Sequence, residues 1–214
     1  MVINKSMNET IYRCFEYLSP EDVSKFKIKF QNYQNDDWQL THTYRELLLG
    51  AHLCSLGYNA RHEIKLDLQT PDWSIFDKDQ KIKTIIETAS FHPPKAIEDE
   101  RWKSLGEKGV FFSWHSDNTN RLYDRIRDKV TRYQKLVEKY ELSFVVAIFD
   151  QSFADIQPNE IQECLFEQQT GIFSLYSELS GALFFRDGFG DSFPSHYHFE
   201  YMENPHPVRE FHLA

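Results

Sequence analysis

Pro71-Asp72-Trp73-Ser74-Ile75-Phe76, the polar Asp77-Lys78-Asp79-Gln80, and Lys81-Ile82-Lys83-Thr84-Ile85-Ile86-Glu87-Thr88-Ala89 form the stretch that decides the fold. The flanking segments are rich in aromatic and β-branched residues, which suit a pleated, half-buried surface. The four polar residues between them suit a tight turn, so the spacing predicts a β-hairpin. Its turn is centred near Lys78-Asp79, which makes the two arms equal. The start of one strand then lies beside the end of the other, and Asp72 becomes a neighbour of Glu87.

Working downstream, Thr119 to Tyr140 reads as the strongest helix, with Leu122, Ile126, Tyr133, Leu136 and Tyr140 as its apolar stripe. Lys129 falls inside that stripe, three residues after Ile126 and four before Tyr133. Ser143 to Phe149 is a nearly continuous apolar run of strand length, as expected for a strand covered on both faces. A helix leading into a buried strand is a crossover unit, so the sheet is expected to be mixed. A short helix near Ile97–Leu105, a helix over Asn159–Gln169 and edge strands at Gly181–Phe185 and His196–Tyr201 complete this half.

Working upstream, Ile64, Leu66 and Leu68 alternate with polar residues and predict a strand. A helix is expected to start at Thr41 or Thr43 and to carry Leu47, Leu48, Ala51 and Leu56 on its apolar face, ending at Gly57. Ser19-Pro20-Glu21-Asp22 is a helix start with proline in the first turn, followed by Val23, Phe26, Phe30 and Tyr33 at helical spacing. Residues 1–40 are therefore expected as a peripheral helical extension.

The 214 residues suit one domain, and 41% hydrophobic with 27% charged residues is a globular composition. No run approaches the roughly 18 apolar residues of a membrane span, and the polar Met1 to Glu9 stretch leads to the expectation of no signal peptide. Three widely spaced cysteines fit neither a disulfide framework nor a Cys-x-x-Cys metal knuckle, so a reducing cytoplasm is the expected setting. The net charge of −9 counts against a protein that coats nucleic acid non-specifically, although clustered carboxylates can bind divalent metal. No glycine-rich phosphate loop, Gly-x-Ser-x-Gly elbow or His-Glu-x-x-His helix is present. His196, His198, His206 and His212 read as a surface strand and tail, while His92 and His115 fall in a stretch without a clear pattern.

The carboxylates carry the chemistry. Glu46 lies on the helix after Thr43, Asp72 opens one hairpin strand, and Glu87 lies near the end of the next. Two carboxylates about 4 Å apart repel by roughly 4 kcal/mol at an effective dielectric of about 20. Such a pair requires a cation or a shared proton. Mg²⁺ commonly takes one or two carboxylates together with water and phosphate oxygens. The plainer readings are an acid in a first helical turn for Glu46, a strand opener for Asp72 and a snorkelling edge residue for Lys129.

Pro71-Asp72 followed by Ile85-Ile86-Glu87 resembles the signature of the PD-(D/E)XK nucleases. Tyr44-Arg45-Glu46-Leu47-Leu48-Leu49-Gly50, continuing to Leu56-Gly57-Tyr58, is similar to that family's first core helix. The likeness spans roughly Tyr44 to Phe149. It implies an α/β, restriction endonuclease-like fold, a mixed β-sheet core flanked by helices, in one domain over residues 1–214. It further implies a Mg²⁺ (or Mn²⁺) site on Asp72 and Glu87 supported by Glu46, and nucleic acid, DNA or RNA, as the partner. A homodimer is admissible and a membrane partner is not expected.

Where the family carries Glu-x-Lys, this chain reads Glu87-Thr88-Ala89. Lys83 lies on the face of Glu87 but roughly 13 Å along the strand, so Lys129 is the expected replacement. Lys129-Val130-Thr131-Arg132-Tyr133 also resembles a Gln-x-x-x-Tyr element of some nucleases of this fold. Arg125, Arg132 and Tyr133 are therefore expected to meet substrate, the arginines through phosphate. The expected activity is metal-dependent phosphodiester hydrolysis. The alternative is an inactive member of the fold that binds nucleic acid or protein, and a weaker one is a regulatory protein offering its acidic surface to a basic partner.

Overall fold

The hairpin forms with the expected pairing. In a computed structural model, which describes residues 5–91, 118–150, 156–187, 193 and 197–213, β2 (Trp73–Phe76) runs antiparallel to β3 (Ile82–Phe91). Trp73 pairs with Ile86, Ser74 with Ile85 and Ile75 with Thr84, and a bulge precedes Phe76. Asp77 organises the turn by accepting from the backbone N–H groups of Asp79 and Lys81, each at 2.9 Å.

β3 outlasts the hairpin and pairs in parallel with β4 (Ser143–Asp150), with Glu87 opposite Val146. β4 is buried along its whole length, as its apolar run requires. β5 (Gly181–Asp187) lies parallel to β4, and β6 (Tyr197–Glu203) closes that side antiparallel to β5. With β1 (Asn59–His62) antiparallel to β2, the result is a six-stranded mixed sheet in the order β1-β2-β3-β4-β5-β6.

Helices cover both faces. On one side lie α1 (Lys5–Phe15), α2 (Pro20–Asn32) and α3 (Asp37–Ser55). On the other lie α4 (Thr119–Tyr140), α5 (Pro158–Phe166) and the short α6 (Ile172–Leu175). Alternation along the strands gives each face its own core. Trp73, Ile75 and Ile86 pack with Leu47, Leu48, Ala51 and Phe26, whereas Ile85, Ala89 and Phe91 pack with Ile126, Val130 and Leu136. Among the described residues, no helix is long and apolar enough to cross a membrane.

Several expectations are corrected. The alternation at Ile64, Leu66 and Leu68 is not a strand: the backbone reverses at Glu63 (φ 49°) and Asp67 (φ 54°), leaving Leu68 exposed. The strand lies earlier, at Asn59–His62. α3 starts at Asp37, capped by Asp36, whose side chain accepts from Trp38 N and Gln39 N, so Glu46 sits in mid-helix and not in a first turn. Of the two strands expected at an edge, β5 is internal to the sheet and β6 is an edge. α2 is not merely peripheral, because Phe26 is fully buried against His62 and Trp73. Tyr140 leaves the α4 stripe for solvent and donates to Asp67, while Val130 and Val137 take the buried places. The short helix expected at 97–105, His92, His115 and His196 lie outside the described residues.

Candidate active site

Asp72 stands one step beyond the Trp73–Ile86 pair and therefore faces Glu87 across the hairpin. The backbone N–H of Thr88 donates to Asp72 Oδ2 at 2.7 Å, and the N–H of Asp72 lies 3.4 Å from Glu87 Oε2. Glu87 is buried and Asp72 half-buried. Burial first, then the charges of Glu87 and Glu46, push the Asp72 carboxyl up to about 7. The Lys129 ammonium works against that shift.

Lys129 reaches this pair from α4, with its Nζ 2.8 Å from Glu87 Oε1. One turn on, Tyr133 is buried, and its hydroxyl donates to Thr70 O at 3.4 Å. Burial, followed by the charge of Glu87, raises the Tyr133 hydroxyl far above its ordinary value. Tyr133 is thus positioned to brace the acid pair rather than to present itself to a ligand from solvent. Ala89 shares a strand face with Glu87 and packs among the α4 side chains. A strand lysine at that position and a lysine from α4 would serve the same face. Lys83 instead pairs with Asp77 at 3.7 Å near the hairpin turn.

Glu46 belongs to a different cluster. Its Oε1 is 3.1 Å from His42 Nε2, and its Oε2 is 2.9 Å from Lys29 Nζ and 3.3 Å from His62 Nε2. Lys29 also bridges to Glu63 at 2.7 Å. His62 is fully buried, its ring 4.3 Å from that of Phe26 and 5.0 Å from that of Trp73. Burial opposes ionisation of Glu46, but the hydrogen bonds from His42 and His62 and the Lys29 ammonium hold its carboxyl well below the usual range. Trp73 joins the clusters, because its Nε1–H donates to Glu46 O at 3.0 Å while its neighbour is Asp72. Gly50 gives the indole its seat, since a Cβ there would overlap the ring.

The sequence reading missed His42, His62 and Lys29. His42 was accessible as the residue four before Glu46 on one helix, a spacing that brings side chains together. His62 and Lys29 come from other elements, and no local pattern marks them. Arg125 and Arg132 are exposed on α4, and Gln69 Nε2 donates to Arg132 O at 2.6 Å. Among the described residues, the C-terminal histidines form no metal-holding group: His198 lies on β6, and His212 pairs with Glu203 at 2.9 Å and Glu210 at 3.4 Å. A cavity of about 140 Å³ between β4–β6 and α5, lined by Asp150, Arg186 and His198 among others, does not include the acid pair.

Among the described residues, no group of three or more His, Cys, Asp or Glu side chains is arranged to hold a metal ion. Asp72 and Glu87 offer two carboxylates, which matches the one or two that Mg²⁺ commonly takes from a protein. Burial is the first cause of the raised Asp72 carboxyl, and the charges of Glu87 and Glu46 add to it. Comparisons with protein-family models, with curated proteins and with solved structures find no match for this chain.

Proposed function

We propose that this chain is a nuclease that hydrolyses phosphodiester bonds with a Mg²⁺ or Mn²⁺ ion held by Asp72 and Glu87, on a restriction endonuclease-like version of the mixed sheet. The observation that carries this reading is the Lys129 ammonium, 2.8 Å from Glu87 Oε1 and on the strand face where Ala89 replaces the motif lysine.

Each residue has a role that its surroundings allow. Thr88 engages Asp72 Oδ2 and leaves Oδ1 for a ligand. Lys129 engages Glu87 Oε1 and the backbone N–H of Asp72 approaches Oε2 at 3.4 Å, so the Glu87 carboxylate is held beside Asp72. When bound, the cation supplies Lewis acidity toward a phosphoryl oxygen. The ammonium of Lys129 stabilises the charge that develops on the phosphate in the transition state. Glu46, with both oxygens engaged, acts as a fixed negative charge behind Asp72 and favours a cation there.

The test is cleavage of mixed DNA and RNA substrates with Mg²⁺ or Mn²⁺, comparing the native chain with Asp72→Asn and Glu87→Gln. Each substitution is expected to lower the rate by about 10³-fold or more, on the scale of lost electrostatic stabilisation. Equal rates in all three proteins reject the assignment. A second reading, a binding module of this fold without catalysis, rests on Ala89 in the place of the lysine and on the net charge of −9. It requires nucleic-acid or protein binding with no cleavage under any divalent ion.

A further inference from the structure

Four basic residues of α4 differ in their partners. Arg127 lies 2.9 Å from Asp124 and 3.2 Å from Asp128, and Lys139 lies 2.6 Å from Asp67. Arg125 and Arg132, by contrast, have no carboxylate within ion-pair distance among the described residues, and both are exposed. At 100° per residue, Arg121, Arg125, Lys129 and Arg132 follow one flank of the helix, next to its buried stripe. The steps along that flank are four, four and three residues, so successive charges rise by roughly 6, 6 and 4.5 Å.

The contacts orient this flank over the site. Arg121 lies over the Phe91 ring at 4.7 Å, at the far end of β3. Lys129 meets Glu87, and the Arg132 backbone meets Gln69, just before Asp72. The helix therefore runs lengthwise past the acid pair, with positive charge before it, at it and beyond it. In a chain of net charge −9, such a row is a local exception. A regular row of guanidinium groups suits a chain of phosphates, which arginine binds through paired hydrogen bonds.

We infer that the α4 flank formed by Arg121, Arg125, Lys129 and Arg132 is the track for a single strand of nucleic acid, DNA or RNA, along which a phosphate is delivered to Asp72 and Glu87. The inference rests on the nuclease reading for the destination of that phosphate. It selects a single strand because Glu87 keeps only 4% of its surface and lies beneath the helix flank. A flexible strand can bend one phosphate toward a covered carboxylate, whereas a paired, stiff duplex holds its backbone away from it. A charged groove that tracks the backbone is a common mode of single-strand recognition.

The experiment is fluorescence anisotropy in EDTA, so that binding is read without cleavage. The probes are a labelled single-stranded DNA, an RNA of the same sequence and the corresponding DNA duplex, each titrated at several KCl concentrations. The native chain is expected to bind at least one of the single strands about tenfold or more tightly than the duplex. The logarithm of affinity should fall against the logarithm of salt with a slope of about −0.7 per phosphate contacted. The relative affinity for DNA and RNA identifies the sugar that the track accepts.

Arg125→Ala and Arg132→Ala should each weaken strand binding about three- to tenfold and make the slope shallower by about 0.7. Arg127→Ala and Lys139→Ala, which remove paired charges, should change binding less than twofold. Equal affinity for duplex and strand, no binding of either strand, or equal losses from both sets of substitutions overturns the inference. The outcomes separate from those of the cleavage assay. Strand binding without Mg²⁺-dependent cleavage rejects the nuclease reading and leaves the track standing; cleavage that is indifferent to Arg125 and Arg132 does the reverse.

Discussion

Glu46 and the Asp72–Glu87 pair are carboxylates in neighbouring regions of one molecule, yet they live in opposite electrostatic conditions. Glu46 is surrounded by Lys29, His42 and His62 and is held firmly ionised. The pair shares one ammonium, from Lys129, between two carboxyl groups, and Asp72 is pushed toward neutrality. The first region is closed: both oxygens of its buried carboxylate are engaged, and it ties α2, α3 and β1 together. The second sets two carboxyl groups against one ammonium, and the proposed cation would add the positive charge. The comparison teaches that a buried acid indicates chemistry only when its partners are counted.

Substitutions can break or sharpen this contrast. Apart from the metal-site carboxylates themselves, the largest effect is expected from Lys129→Met, which should slow cleavage about 10² to 10³-fold and also lower stability, because it leaves buried Glu87 without its ammonium, read by rate assays alongside urea unfolding. Next comes Glu46→Gln, which puts an amide where Lys29, His42 and His62 meet a buried carboxylate and leaves Lys29 with Glu63 alone, and should cost about 3 kcal/mol in urea unfolding. Glu87→Gln, which relieves repulsion as it loses Lys129, should stay within about 1 kcal/mol; equal costs for the two variants would erase the distinction. Gly50→Ala should destabilise by about 1–3 kcal/mol because the Trp73 ring occupies the space, although alanine ordinarily improves a helix interior.

A further expected effect is the pH dependence of Asp72. Its folded carboxyl is raised to about 7 by burial and by Glu87 and Glu46. The unfolded chain releases that proton near pH 4, so the folded state holds the extra proton between these values. Stability without divalent ions should therefore fall as pH rises from about 4 to 7, and Asp72→Asn should flatten the decline. Thermal melts across that range read the slope directly. A slope that survives in Asp72→Asn assigns the proton to another group.

The hairpin, its register and the approach of Asp72 to Glu87 were legible because a period of two and a polar turn fix which residues face each other. The long helix was legible for the same kind of reason: its stripe and its lysine are set by a period of 3.6. β1 was not legible, since Asn59-Ala60-Arg61-His62 alternates without an apolar signal, while the better alternation at Ile64–Leu68 is broken by left-handed backbone at Glu63 and Asp67. The state of Glu46 was equally hidden. Its partners come from α2, from a turn earlier on α3 and from β1, and only tertiary contact assembles them. Sequence patterns place side chains on faces; they do not count the charges that arrive from elsewhere.

The most direct measurement is Mn²⁺ binding, followed by calorimetry and by the paramagnetic resonance of free Mn²⁺ at pH 7.5. The account expects a saturable site in the native chain that is lost in both Asp72→Asn and Glu87→Gln and retained in Arg127→Ala. No saturable binding in the native chain, or binding unchanged by the two carboxylate substitutions, would contradict a cation held between Asp72 and Glu87.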